Sequence, residues 1–359
     1  MIDVTRPFLP PIDKINLLLD GIWKRNRLTN NGPLIQELEK KLSKYLGHQD
    51  IVIINSGTMG LQISIKALDI KKGIITTPFS YVATASSIVW EGCEPQFVDI
   101  DQKTLNINAN KIEKAIDENT EAILATHCFG NPCDIEAIEK IAKKNNLKVI
   151  YDAAHCFGTK YKGQSVFKYG DISVLSLHAT KLYHMVEGGA IFLNNSKLKD
   201  KVTRIRNFGH DGPENFSGIG INGKNSEIHA AIGLVNLEYI DEIINLRLKQ
   251  ALLYDELFIN QNISRPHIME GTTKYNHAYY PLIFKDEETL LRIKNILYIN
   301  NIGTRRYFYP ALNTLDYVNC QNNTPVADDI IKRILCFPLY HDLNVEEQKM
   351  IAEITINNL

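Results

Sequence analysis

From residue 51 onward, short β-branched apolar runs alternate with longer segments whose apolar residues recur every three or four positions. "IVIIN" (51–55) is the first of these runs, continuous and short, as a parallel strand buried on both faces requires. "GTMGLQISIKAL" (57–68) follows with helical spacing at Leu61, Ile65 and Leu68. Further strands are predicted at 73–77, 95–100, 122–127, 148–151, 173–177 and 190–194. Between two of them, residues 134–146 open on Asp134, a suitable helix N-cap, and repeat isoleucine at 135, 138 and 141. Strands alternating with amphipathic helices predict an α/β fold: a mostly parallel sheet flanked by helices on both faces.

The pattern changes after residue 225. Ser226 to about Phe258 reads as one long helix with few breakers, connecting two units. Beyond it come a strand at 279–284, a helix near 287–300, an apolar run at 336–343 and a terminal helix. Two domains are therefore expected, a large one over 1–245 that includes the N-terminal segment, and a smaller α/β domain over 246–359. Pro78, Pro95, Pro132 and Pro338 fall at the ends of predicted elements, where a missing N–H is tolerated.

With 359 residues the chain can bury a sizeable core. Its 40 basic residues against 41 acidic ones leave no excess for neutralising a phosphate backbone, which argues against nucleic-acid binding. A local pocket for one anionic ligand stays open. The first residues lack the apolar region of a signal peptide, and no apolar stretch approaches bilayer length, so no membrane association and a cytoplasmic location are expected. Cys93, Cys128, Cys133, Cys156, Cys320 and Cys336 are scattered and read as reduced thiols. "HCFGNPC" (127–133) lacks the paired C-x2-C spacing of a structural zinc site, and no metal is expected.

In open α/β sheets, ligands gather at the carboxyl ends of the strands. No G-x-G-x-x-G follows the first strand, which argues against a nicotinamide dinucleotide, and "GTKYKGQS" (158–165) lacks the lysine of a phosphate loop. Ser56-Gly57-Thr58 does follow it, at a helix N-terminus where free N–H groups can hold a phosphate or where Ser56 is a plain N-cap. Asp152 follows 148–151, and a buried carboxylate there needs a cation: a nearby lysine or arginine, or a protonated pyridine nitrogen. Lys181 follows 173–177, ahead of a Gly-Gly pair. Taken singly it reads as a surface lysine, yet an amine so placed can also form a Schiff base with an aldehyde and shuttle a proton. Phosphate cradle, carboxylate and lysine in this order, each after a strand, suit pyridoxal 5'-phosphate.

The motifs "RPFLPP" (6–11), "NSGTMGLQ" (55–62), "PFSYVATASSI" (78–88), "DAAHCFG" (152–158), "GDISVLSLHATK" (170–181), "GINGKNSEIHAA" (220–231) and "GTRRYFYP" (303–310) extend nearly end to end. In them the chain resembles the DegT/DnrJ/StrS family of sugar aminotransferases, fold type I pyridoxal-phosphate enzymes. The resemblance implies that Lys181 joins the cofactor covalently, Asp152 meets its pyridine nitrogen and His155 lies near its phenolic oxygen. Gly57, Thr58 and Ser176 would hold its phosphate, and Tyr81 would stack on its ring. Asn222 matches an asparagine that reaches the neighbouring subunit's phosphate, which implies a homodimer with shared active sites. Two departures stand out: Leu175 and Leu177 flank Ser176 where aromatic residues are frequent, and Asn225 replaces a larger apolar residue.

The resemblance further implies ping-pong transfer of an amino group from L-glutamate, through the pyridoxamine form, to a keto-sugar carried on a nucleotide diphosphate. The segment looks most like the branch acting on dTDP-4-keto-6-deoxy-D-glucose, which makes a 4-amino-4,6-dideoxy sugar for surface polysaccharides. The dTDP-3-keto isomers are the alternative, followed by a sugar dehydratase or a non-catalytic regulator. Some dehydratase relatives carry histidine in place of the lysine, so Lys181 argues against that activity, although His178 and His184 lie close by. Arg305, Arg306, Tyr307 and Tyr309 are candidate contacts to diphosphate, base or sugar, or else a solvated loop.

Overall fold

Alternate residues of the central strands serve two different cores, and this period of two organises the molecule. The computed structural model describes residues 1–318 and 323–359, so Cys320 lies outside the described residues. Its strands are β1 (Ile51–Ile54), β2 (Gly73–Thr76), β3 (Glu94–Phe97), β4 (Thr120–Thr126), β5 (Lys148–Asp152) and β6 (Lys160–Tyr161). They continue with β7 (Gln164–Ser165), β8 (Ile172–Ser176), β9 (Gly189–Leu193), β10 (Thr272–Lys274), β11 (Tyr280–Ile283) and β12 (Ile334–Phe337). Seven of them form the main sheet in the order β1-β9-β8-β5-β4-β2-β3. Pairing is parallel from β8 through β3, whereas β9 runs against both of its neighbours.

On one face Ile51, Ile53, Val149, Tyr151, Leu175 and Phe192 pack under helices Pro33–Leu46, Ile135–Asn145 and Glu227–Glu238. On the other, Val52, Ile54, Ile150, Val174 and Ile191 pack under Gly57–Ala67 and Leu198–Arg206. Each such side chain contributes about 1.5–3 kcal/mol when fully buried, so both faces must be covered. The predicted N-cap is present, with the Asp134 side chain accepting from the Ala137 N–H at 3.1 Å.

Two expectations need correction. The stretch from Ser226 to Phe258 is two helices, Glu227–Glu238 and Ile240–Leu257, broken at Tyr239, whose N–H turns back to the Asn236 carbonyl. The break has no glycine or proline to announce it; Tyr239 instead packs against Phe8 at 5.2 Å, a tertiary contact. The strand expected over 95–100 stops at Phe97, the partner of the last β2 residue, Thr76, whose carbonyl takes one more bond from the Val98 N–H at 2.8 Å. "GTKYKGQS" forms the β6–β7 hairpin, turning at Lys162 and Gly163 with φ of 47° and 79°.

A second core gathers around β11 and β12, with Tyr254, Phe258, Leu282, Phe284, Phe337 and Ile351. Helix Ile240–Leu257 belongs to both cores, giving Ile243 and Ile244 to the first and Ala251 and Tyr254 to the second. It therefore runs through the division we propose after residue 245. The first residues depart from the expected grouping: the Ile2 N–H donates to the Asn301 carbonyl at 2.8 Å and Gly303 returns a bond to Ile2 at 2.7 Å, so they lie on the C-terminal unit. An aromatic seam of Phe79, Phe129, Tyr279, Tyr307 and Phe308 seats that unit on the sheet. Asp99 latches it, accepting from the Ala327 N–H at 3.0 Å while pairing with Lys111 at 2.8 Å.

The Gly-Gly pair ahead of β9 has a packing reason. A methyl group on Gly189 would lie 2.7 Å from the Ser56 carbonyl and 2.8 Å from the Gly57 nitrogen, both backbone atoms that cannot swing away. Gly189→Ala is expected to lower stability by about 1–3 kcal/mol, read in urea as a lower midpoint at unchanged slope.

Candidate active site

Loops after β1, β5 and β8 converge on a cavity of about 290 Å3, close to the size of a small-ligand pocket. Gly57, Thr58, Tyr81, Asp152, His155, Ser176 and Lys181 all line it, joined from the C-terminal unit by Arg305 and Tyr307. Residues distant in sequence are thus brought together by strand order alone.

Lys181 sits in the β8–β9 loop, which is ordered from within. Leu177 N–H donates to the Gly188 carbonyl at 2.8 Å, Ala179 N–H to Val186 at 2.7 Å, and Lys181 N–H to His178 at 2.9 Å. The side chain is half-buried, with its amine donating to the Tyr279 hydroxyl at 3.3 Å. Burial pushes the amine below its ordinary value, against the opposing pull of Tyr307 and Asp152, while Arg305 adds to the lowering. The neutral, nucleophilic fraction rises accordingly.

Asp152 is buried at the end of β5 and accepts from the Thr84 hydroxyl at 2.8 Å and the Ala154 N–H at 3.2 Å. Thr84 is in turn bonded to Ser80 at 2.7 Å, and Ser80 to Thr126 at 2.9 Å. No lysine or arginine forms an ion pair with Asp152 among the described residues. Burial raises its carboxyl, with the Thr84 bond as the largest opposing influence. His155 is buried, tilted against Tyr279 at 4.6 Å, and its Nδ1 has no partner among the described residues. Burial and the Lys181 charge hold its imidazole neutral.

Helix Gly57–Ala67 begins at Ser56, whose hydroxyl accepts from the Met59 N–H at 3.1 Å, so the N-cap reading is realised. Gly57 and Thr58, whose N–H groups have no intrahelical acceptor, line the cavity. Gly57 is close enough to Ser176 that an added methyl would come within 3.0 Å of the Ser176 Cβ. Tyr81, half-exposed, caps helix Val82–Trp90 at the cavity rim.

Other expected residues lie elsewhere. Asn222 is exposed, and its side chain accepts from Lys224 at 2.6 Å, outside this cavity. Arg305 pairs with Cys336 through both backbone groups, its N–H donating to the Cys336 carbonyl at 3.1 Å and its carbonyl accepting from the Cys336 N–H at 2.8 Å. Arg305 faces the cavity over the Tyr307 ring at 4.4 Å, without an acidic partner among the described residues. Arg306 is turned away to Glu287 at 2.6 Å and stacks on Tyr309 at 3.9 Å, and neither lines the cavity. His178 lines the cavity mouth, whereas the ring of His184 donates to the Phe8 carbonyl at 2.9 Å. Sequence reasoning missed Thr84 and Tyr279. Ser80 and Thr84 are spaced by four in a quoted motif, a usable signal; Tyr279 read only as the start of a strand.

The residues present fit pyridoxal 5'-phosphate. The buried carboxylate without a cation can take the pyridine nitrogen, the orphaned His155 Nδ1 has a polar group to meet, and the helix N-terminus suits a phosphate. Fold and site together define a fold type I pyridoxal-phosphate transferase. The chain belongs to the DegT/DnrJ/EryC1/StrS aminotransferase family, whose sequence pattern matches residues 12–355. It is 44% identical over 346 residues to a dTDP-4-amino-4,6-dideoxy-D-glucose transaminase of Shigella dysenteriae, covering 95% of this chain and 94% of the relative. A protein of the same description from Escherichia coli is 39% identical over 370 residues, covering 100% and 99%. Among solved structures, DesI in the presence of its TDP-sugar product superposes with a TM-score of 0.93 at 27% identity, covering 98% of this chain and 91% of that one. Helicobacter pylori PseC, an aminotransferase of pseudoaminic acid biosynthesis, gives 0.91 at 26% identity, covering 99% and 98%.

Because burial raises Asp152, the stability its protonated form contributes is present below the ordinary aspartate range and lost as pH rises through the raised value. Holding the carboxylate ionised is therefore a cost in the cofactor-free protein. Asp152→Asn should raise the melting temperature of that form by about 1–3 °C while weakening pyridoxal 5'-phosphate binding, measured by calorimetry and by cofactor titration.

Proposed function

We propose that this protein transfers the amino group of L-glutamate to dTDP-4-keto-6-deoxy-D-glucose, giving dTDP-4-amino-4,6-dideoxy-D-glucose for surface polysaccharide assembly. The observation that carries this reading is the buried Lys181 amine, set in one cavity with Asp152 and the Gly57–Thr58 helix start. The two dTDP-4-amino-4,6-dideoxy-D-glucose transaminases support the choice of sugar, since their similarity spans nearly the whole chain.

Pyridoxal 5'-phosphate, when bound, supplies an electron sink and stores the amino group in its pyridoxamine form between the two half-reactions. Gly57, Thr58 and Ser176 would hold its phosphate, Asp152 its ring nitrogen and His155 its phenolic oxygen. Tyr81 would cover the ring, and Lys181 would anchor it covalently. Lys181 Nζ, whose neutral fraction burial raises, takes the proton from the donor's Cα and returns one to the sugar carbon in the second half. Arg305, which has no acidic partner among the described residues, would bind an anionic group of donor or acceptor, and a guanidinium fork suits carboxylate and diphosphate alike.

We place the reaction in the cytoplasm and in a homodimer, in which the exposed Asn222 side of one subunit completes the other's phosphate site. No helix among the described residues is long and apolar enough to cross a membrane.

Purified protein incubated with glutamate and a panel of nucleotide-linked 4-keto and 3-keto sugars should form a 4-amino-4,6-dideoxy product from the dTDP-4-keto sugar, identified by mass and NMR. A 3-amino product, or none, would overturn the assignment. Lys181→Ala should lower kcat by at least about a hundredfold to ten-thousandfold with the melting temperature little changed.

A further inference from the structure

Among the described residues, the Tyr279 hydroxyl is the one hydrogen-bond partner of the Lys181 amine, at 3.3 Å. Its oxygen arrives from the C-terminal unit, at the residue before β11, while the lysine belongs to the main sheet. Nothing about the position is loose. The ring is tilted against His155 at 4.6 Å, meets Tyr307 edge-on at 5.1 Å and Phe129 edge-on at 6.0 Å.

The backbone beneath it is pinned twice. Arg247, buried in helix Ile240–Leu257, donates to the Ala278 carbonyl at 3.1 Å. Its guanidinium has no acidic partner among the described residues, and burial lowers it to about 10. Buried Asn276 accepts from the Ala278 N–H at 3.1 Å and donates to the His155 carbonyl at 2.6 Å and the Phe157 carbonyl at 3.0 Å. One asparagine thus ties the tyrosine's segment to the loop that carries Asp152 and His155.

We propose that Tyr279 is a positioning residue for proton transfer: its hydroxyl parks the Lys181 amine whenever that amine is free, and so makes the seating of the C-terminal unit a condition for the reaction. The proposal rests on the aminotransferase reading above. In the transfer itself the donor's Cα–H bond breaks, its electron pair is left to the electron sink that the bound cofactor would supply, and the proton passes to the Nζ lone pair. The resulting ammonium needs an acceptor that leaves its path to the carbon open, and a neutral phenol oxygen serves. Burial keeps the phenol protonated, its value pushed up to about 12. The other charged or titratable groups facing Nζ are Asp152, Arg305, Tyr307, Tyr81 and His155, and Tyr279 is the one in contact with it.

Tyr279→Phe keeps the ring and removes the oxygen. In cofactor-free protein, carbamylation of Lys181 by cyanate, followed by peptide mass spectrometry across pH, should show the apparent midpoint of the amine lowered by about half a unit to one unit, because the ammonium loses its acceptor. In the loaded enzyme kcat should fall about ten- to a hundredfold, and the isotope effect with α-deuterated glutamate should grow, since proton transfer becomes limiting. Tyr279→Leu, also without a hydroxyl, should move the cyanate profile the same way. An unchanged cyanate profile in both variants, or a wild-type rate and isotope effect in Tyr279→Phe, would overturn the proposal. A wild-type protein that binds the cofactor but gives no turnover with any amino donor, while the cyanate profile still shifts, would instead remove the aminotransferase reading and leave the amine–phenol contact standing.

Discussion

A lysine amine taken out of water has lost its hydration shell, and the protein must hold it without neutralising its chemistry. Here that constraint is met at a seam. The lysine comes from the sheet, its acceptor Tyr279 from the C-terminal unit, and the acid that balances the cavity, Asp152, from the end of β5. A direct Lys181–Asp152 ion pair would raise the amine and fix its direction. The structure instead leaves the carboxylate on neutral donors, Thr84 and Ala154, so the amine feels the acid only at a distance. The nucleophile thus stays reactive and the carboxylate stays available.

That arrangement is costly to the protein when no ligand is bound. Among the described residues, Asp152 is buried without a cation, His155 keeps an unpartnered Nδ1, and Arg305 has no acid. Buried polar groups normally find partners, because each unsatisfied one costs on the order of 1–3 kcal/mol. When several deficits converge on one cavity, they describe the complement of a ligand: something with a cation-forming nitrogen, an acceptor or donor oxygen, and an anionic group. A ligand supplying all three binds the folded chain selectively and stabilises it by mass action. The same deficits that mark the site therefore explain why it would hold its cofactor tightly.

Much of this was legible beforehand, for a physical reason. Strand runs such as 51–55 and 148–151 are buried on both faces, so their composition has no freedom to disguise them. Ligand groups at strand ends inherit that clarity, and Gly57, Asp152, Ser176 and Lys181 all meet in the cavity. Side-chain direction within an irregular segment was not legible. Arg305 and Arg306 are identical in type and adjacent, yet Arg305 lines the cavity while Arg306 is held by Glu287 and the Lys332 carbonyl, partners the local sequence does not announce. The break at Tyr239 and the role of Tyr279 were hidden for a related reason, since both depend on partners hundreds of residues away in one case and about a hundred in the other.

The C-terminal unit is therefore more than a cover. Asp99 caps helix Pro325–Arg333 from the sheet side, Asn276 grips the loop after β5, and the seam between these ties is aromatic. Rings resist shear because each one's edge fits its neighbour's face, so the unit cannot slide without losing several contacts at once. Such a joint resists gradual sliding, and it is this docking that brings the Tyr279 hydroxyl to 3.3 Å from the Lys181 amine. The packing that docks the two units therefore reaches into the cavity itself, where Tyr307 and Phe308 form part of the lining and Tyr279 meets the lysine amine.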